Sequence, residues 1–138
     1  LRAMGVAASC VTPNGCPPVE VRAKGLPGGR TRLDTALSSQ YVSSLLLAAP
    51  YAAKDTEIEI SGSVPSWPYV RLTLDVMARF GVKCSVSDRS RFHIKAPQVY
   101  RPRDYDIEGD ASSATYFMAA AAILGGAVTL FAMLALIG

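Results

Sequence analysis

The sequence predicts an α/β fold assembled from repeated βαβαββ units, and three observations carry that prediction. Helix-length apolar periodicities alternate with short strand-like runs through the middle of the chain. That order requires crossovers covering one face of a sheet, and such crossovers are nearly always right-handed. A joint of helix end, glycine and strand occurs twice, as RAMGVAASC from Arg2 and as ARFGVKCSV from Ala78. A serine-led helix start, SSQYVSSLLLAAP from Ser38, returns as SSATYFMAAAAI from Ser112, and self-similarity of this kind marks a repeat architecture.

In chain order, residues 1–4 read as the tail of a helix stopped by Gly5, and residues 6–11 as a strand. The glycine-rich GLPGG of residues 25–29 is a tight turn before a strand at 30–33, because it lacks the Lys-Ser/Thr that completes a phosphate-cradling P-loop. A helix follows over 39–52, then a strand over 56–60. Val70, Leu74 and Met77 recur at helical spacing and predict a helix over 68–80, with Pro68 in its first turn and Gly81 as its C-terminal cap. Alternating Val82, Cys84 and Val86 predict a strand over 82–86, joined by the polar turn 87–90 to a strand over 91–95. These elements complete one βαβαββ unit. The end of another precedes it and the start of a third follows, so the chain is expected to be cut mid-repeat at both ends. The third unit supplies a helix over 112–124 packed all round in an interior, a turn at Gly125 and Gly126, and a buried strand over 127–130. Residues 111–138 carry no charge and raise a membrane span, against which the mid-segment glycine pair argues. Nothing in the repeat predicts the closing FAMLALIG.

Fourteen basic residues against eleven acidic ones give a net charge of only +3, and the basic ones are scattered, so nucleic acid is not an expected partner. Cys10, Cys16 and Cys84 are an odd set without a CxxC pair, which argues against a disulfide framework and points to buried thiols in a reducing compartment. Their spacing to the lone His93 is not that of a zinc finger or ribbon. No metal site is expected, and His93, between Phe92 and Ile94, reads as a hydrogen-bonded strand residue. Residues 1–5 show no secretory leader.

The candidate functional residues lie at helix starts. Ser38, Ser39 and Gln40 place two hydroxyls and an amide beside free backbone N–H groups, in a stretch with no charge between Asp34 and Lys54. With the positive end of the helix dipole they form a natural anion site. A plain serine N-cap explains the same residues, and taken alone they favour that reading. The next helix repeats the arrangement with Ser66 at the cap and Tyr69 just inside, so two helix starts could face one ligand; capping would equally explain Ser66, and core packing Tyr69. Glu108 and Asp110 flank Gly109 before the third, serine-capped helix, where a carboxylate is a cap more often than a general base.

NGCPPVEVRAKGLPGG, SSQYVSSLLLAAPYA, SWPYVRLTLDVMARFGV and YDIEGDASSATYF, in this order and spacing, resemble the 5-enolpyruvylshikimate-3-phosphate (EPSP) synthases. The resemblance runs from Leu1 to about Leu130, a middle portion of the family chain, and stops at Phe131. It implies a two-domain fold with three βαβαββ units per domain and substrates held in the cleft between them. It further implies transfer of the enolpyruvyl group from phosphoenolpyruvate to shikimate 3-phosphate through a tetrahedral adduct, without metal or organic cofactor. Ser38, Ser39 and Gln40 resemble the family's shikimate 3-phosphate ligands, Gln40 lying also near phosphoenolpyruvate, and Ser66 and Tyr69 resemble ligands from the next helix start. The family's proton-transferring aspartate, its catalytic lysine and glutamate, and its phosphoenolpyruvate-clamping arginines fall outside this chain, which is expected to be inactive alone. Gly109 resembles the interdomain crossover. Residues 1–107 would then belong to the shikimate-phosphate-binding domain, and 108–138 to the crossover and the truncated start of the second. The FAMLALIG ending reads as truncation, missplicing or a frameshift. The complete enzyme is expected to be a monomer without membrane or nucleic-acid partners, in the cytoplasm, or in the plastid if from a plant or alga. Two alternatives remain: a UDP-N-acetylglucosamine enolpyruvyl transferase relative, against which SSQ and SWPY argue, and a noncatalytic βαβαββ phosphate-binding module.

Overall fold

The computed structural model describes residues 1–34, 38–62, 64, 66–107 and 109–129. The chain divides into two compact units, Leu1–Pro102 and Arg103–Gly138.

The twofold joint is visible in bonds as well as letters. A 3-10 turn over Arg2–Met4 ends at Gly5, whose φ of 82° lets its N–H reach the Arg2 carbonyl at 2.9 Å while the Val6 N–H reaches Leu1 at 3.3 Å. At the second joint Gly81, φ 87°, donates to Ala78 at 3.0 Å and Val82 donates to Met77 at 2.9 Å. Each pair satisfies carbonyls that a helix end leaves orphaned, and a positive φ makes glycine the fitting residue. Both following valines are buried.

After the first joint, β1 (Ala7–Cys10) pairs antiparallel with β2 (Val19–Arg22). The sequence reading places no strand at 19–22, although Val19, Glu20, Val21 and Arg22 alternate apolar and polar; all four are exposed. The complete unit follows: β3 (Gly29–Asp34), α1 (Ser39–Ala48), β4 (Thr56–Ser61), α2 (Trp67–Arg79), β5 (Ser85–Ser87) and β6 (Arg91–Ile94). Its sheet runs β3-β4-β6-β5, with β3 parallel to β4 and the other pairs antiparallel. Thr56, Ile58 and Ile60 point inward from β4 while Glu57 and Glu59 do not, the period of two expected of a strand covered on one face. Val42, Leu46 and Ala49 of the α1 segment and Val70 and Met77 of α2 meet Ile58, Ile60, Phe92 and Ile94 in one core. Each large side chain buried there stabilises the fold by about 1.5–3 kcal/mol. Gly28 closes the turn before β3; a Cβ on it would overlap the Lys54 carbonyl.

Two elements are shorter than their letters suggest. The first helix ends at Ala48 and not at 52, since Pro50 has no N–H and the chain tightens into a 3-10 turn over Ala49–Tyr51. The strand expected over 82–86 contracts to β5. Val82 is taken up by the helix-end bond, and the Lys83 backbone is held by the Gln98 side chain, its N–H donating at 2.8 Å and its carbonyl accepting at 3.0 Å.

The thiols differ from expectation. All three are free, but Cys16, in the loop between β1 and β2, is exposed, and Cys10 and Cys84 are half-buried. Burial pushes the Cys84 thiol up to about 11, opposed by a hydrogen bond from the His93 backbone. His93 lies in β6 as expected, its Nε2 3.7 Å from Asp55 Oδ2.

In the second unit, α3 (Ala111–Leu124) ends at Gly125, φ 69°. The expectation of burial all round fails: Tyr116, Phe117, Met118, Ile123 and Leu124 are exposed. A helix apolar on every side needs several neighbouring elements to cover it, and α3 is the only helix or strand among the described residues of its unit. No strand forms over 127–129, while Leu130 and residues 131–138 lie outside the described residues. Among the described residues no helix is long and apolar enough to cross a membrane.

Candidate anion-binding groove

Because β3 and β4 are parallel, the helices that follow them begin at the same edge of the sheet. At the first start, Ser38 is extended (φ −178°) and its Oγ accepts the Gln40 N–H at 3.1 Å. Ser39 is 8% exposed, and its hydroxyl has no hydrogen-bond partner among the described residues. At the second start, Ser66 adopts a left-handed conformation, φ 54° and ψ 46°, and its side chain makes no capping bond. The capping explanation of Ser66 is therefore corrected: an N-cap bond belongs to an extended residue such as Ser38. A left-handed conformation costs a serine roughly 1–2 kcal/mol, and strain of this kind is characteristically kept at ligand sites. The packing explanation of Tyr69 also fails, since that side chain is 64% exposed.

All five residues singled out from the sequence, Ser38, Ser39, Gln40, Ser66 and Tyr69, line one groove of about 680 Å³ between the helix starts. Ser43, Ser44 and Thr73 line it too and were missed; the available signal was the second serine pair in SSQYVSS and the placement of Thr73 one turn beyond Tyr69. Among the described residues no Asp, Glu, Lys, Arg or His side chain lines the groove, and neither helix has an acidic residue in its first turn. It presents hydroxyls, an amide and two positive helix ends, groups of the kind that suit an anion. Ser38 need not choose between cap and ligand. Its oxygen accepts the Gln40 N–H while its own proton stays free to donate.

A smaller hollow of about 270 Å³ on the opposite, open face of the sheet is lined by Arg30, Glu57, Glu59, Arg91 and His93 among others. Its charges pair with one another or with neighbours: Arg30 with Glu59 at 3.3 Å and Glu57 at 3.7 Å, Arg91 with Asp88 at 3.0 Å, His93 with Asp55 at 3.7 Å. They offer a ligand little that is not already engaged. At the start of α3, Asp110 accepts the Ser112 N–H at 2.9 Å and the Ser113 hydroxyl at 2.6 Å. The Ser113 hydroxyl, aided by the Ser112 N–H, holds its carboxyl below the ordinary range. Asp110 is thus the cap, as expected of a carboxylate at this helix start, in place of the serine also expected there, and it fills the place an anion would take. Glu108 lies outside the described residues.

Fold and groove together define a βαβαββ-repeat protein presenting neutral donors at paired helix starts. The profile of EPSP synthase (3-phosphoshikimate 1-carboxyvinyltransferase) matches residues 1–134, and the chain belongs to this family. The match passes Phe131, where the resemblance was expected to stop. The chain is 49% identical over 132 residues to the chloroplastic 3-phosphoshikimate 1-carboxyvinyltransferase of Brassica napus, covering 94% of this chain and 26% of the relative. It is 45% identical over 129 residues to the Sulfurovum enzyme of the same name, covering 93% of this chain and 30% of the relative. The solved EPSP synthase from Acinetobacter baumannii superposes with a TM-score of 0.64 at 25% identity, over 89% of this chain and 27% of that one. The chain therefore spans between a quarter and a third of the length of these relatives.

Proposed function

We propose that these residues form part of an enzyme that transfers the enolpyruvyl group of phosphoenolpyruvate to the 5-hydroxyl of shikimate 3-phosphate, releasing inorganic phosphate. The observation that carries the proposal is the convergence of Ser38, Ser39, Gln40, Ser66 and Tyr69 on one uncharged groove. Ser38, Ser39 and Ser66 donate to the phosphoryl oxygens, which lie at the positive ends of the two helices. Neutral dipoles of this kind stabilise a phosphate dianion, much as at other helix N-termini. Gln40, exposed at the groove, turns its amide toward the second substrate. Tyr69 walls the groove on the side of α2.

Residues 1–107 form part of the shikimate-phosphate domain, and 108–138 the crossover and the start of the second; the division of the chain after Pro102 supports a boundary in this region. Proton transfer and the clamp on phosphoenolpyruvate come from residues outside the 138. The whole enzyme works as a monomer, in the cytoplasm or, in a plant or alga, in the plastid, as the chloroplastic relatives suggest. Calorimetric titration of the 138-residue chain tests the site: saturable binding of shikimate 3-phosphate is expected, with no phosphate released when phosphoenolpyruvate is added. Absence of binding by a folded chain would remove the site, and turnover above a heat-killed control would overturn the placement of the chemistry elsewhere.

A further inference from the structure

Ser43 and Thr73 line the groove one turn inside α1 and α2, and their hydroxyl oxygens lie 2.8 Å apart across the seam between the helices. Thr73 Oγ1 also donates to the Tyr69 carbonyl at 2.9 Å. A threonine hydroxyl has a single proton. Either hydroxyl can donate across the seam; with Ser43 as donor, the Thr73 proton goes to the Tyr69 carbonyl and the bonds run from Ser43 through Thr73 to the first turn of α2. The Tyr69 N–H in turn donates to the Ser66 carbonyl at 3.0 Å. Ser43 stands one turn beyond Ser39 on α1. A hydrogen-bonded link thus ties α1, one turn from its start, to the first turn of α2, beside the buried apolar contacts of Val42 and Leu46 with the core.

We propose that the Ser43–Thr73 pair is a positioning element that holds the two helix starts in register, so that Ser38, Ser39 and Ser66 close on the same phosphoryl group. The proposal rests on the phosphate-site reading above. Hydrogen bonds weaken steeply with distance and angle, so a small slip of α1 against α2 would leave one set of serines engaged and the other short of contact.

The test is calorimetric titration of the 138-residue chain and its variants with shikimate 3-phosphate, alongside thermal melting of each. Ser43→Ala and Thr73→Val are each expected to weaken binding about five- to tenfold, the scale of one neutral hydrogen bond. The double variant should be no weaker than either single one, because both break the same link. Thr73→Ser and Ser43→Thr, which keep the hydroxyls, should bind within about twofold of the parent, given that the bond lost in the other variants is retained. If Thr73→Val does not fold, Ser43→Ala and the two hydroxyl-preserving variants decide the matter. Unchanged affinity in folded Ser43→Ala overturns the proposal while leaving the phosphate site standing. So do losses that multiply in the double variant, which would make the two hydroxyls separate ligand contacts. If the folded parent itself does not bind, the site reading fails and this inference fails with it.

Discussion

Ser66 provides the sharpest separation of ligand binding from fold stability. Its hydroxyl makes no cap bond and its backbone is left-handed, whereas Ser38 is extended and caps α1 through the Gln40 N–H. Ser66→Ala should therefore weaken shikimate 3-phosphate binding by roughly 1.5–3 kcal/mol, the range for a hydrogen bond to a charged group, or about 10- to 150-fold. Its stability should change by no more than about 0.5 kcal/mol. Ser66→Gly should lose the same affinity and become more stable. Glycine removes roughly 1–2 kcal/mol of left-handed strain and costs roughly 0.5–1 kcal/mol in unfolded-state entropy, for a net gain of about 0–1.5 kcal/mol. Ser38→Ala should lose both properties, affinity by the same amount and stability by about 0.5–2 kcal/mol for the missing cap. The assay pairs calorimetric titration with urea unfolding for all three variants. Unchanged affinity in folded Ser66→Gly would return Ser66 to an ordinary turn residue, and a Ser66→Ala variant as destabilised as Ser38→Ala would refute the distinction between the two helix starts.

Three further outcomes are expected. Phe92, fully buried in β6 and stacked on Trp67 with centroids 6.3 Å apart, should cost about 3–5 kcal/mol when replaced by alanine; a loss below about 1 kcal/mol in urea unfolding would mean the core is not centred there. The folded state holds the Cys84 proton more tightly than the unfolded chain, so stability should fall as pH rises from the ordinary thiol value of 9.0 toward about 11. Iodoacetamide on the native chain at mildly alkaline pH should accordingly label exposed Cys16 well before Cys84, and equal labelling would contradict the burial. The exposed aromatic and aliphatic side chains of α3 should bind a hydrophobic dye, and deletion of residues 111–138 should abolish most of that signal while leaving unfolding cooperative; persistence of the signal would place the exposed apolar surface elsewhere.

The sequence by itself determined the features whose causes are local. Gly5 and Gly81 mark helix ends because their backbones take positive φ, a constraint written at single positions. The helical spacing of Val70, Leu74 and Met77 disclosed the inward face of α2, where Val70 and Met77 are fully buried, since side-chain direction repeats with the backbone. Ser38 could be read as a cap for the same reason. Other features depended on contacts between segments distant in sequence, and only the tertiary structure decided them. Strand β5 is short because Gln98 claims the Lys83 backbone that would have extended it. Ser66 and Ser38 look alike as letters, yet one is left-handed and uncapping while the other caps its helix. That five candidate residues share one groove follows from the parallel pairing of β3 with β4, which brings two helix starts to one sheet edge. The Ser43–Thr73 bond exists only because α1 and α2 then lie side by side. Local sterics act within a few residues and can be read from a string of letters, but register between helices is set by how whole elements pack, and that information has no fixed spacing along the chain.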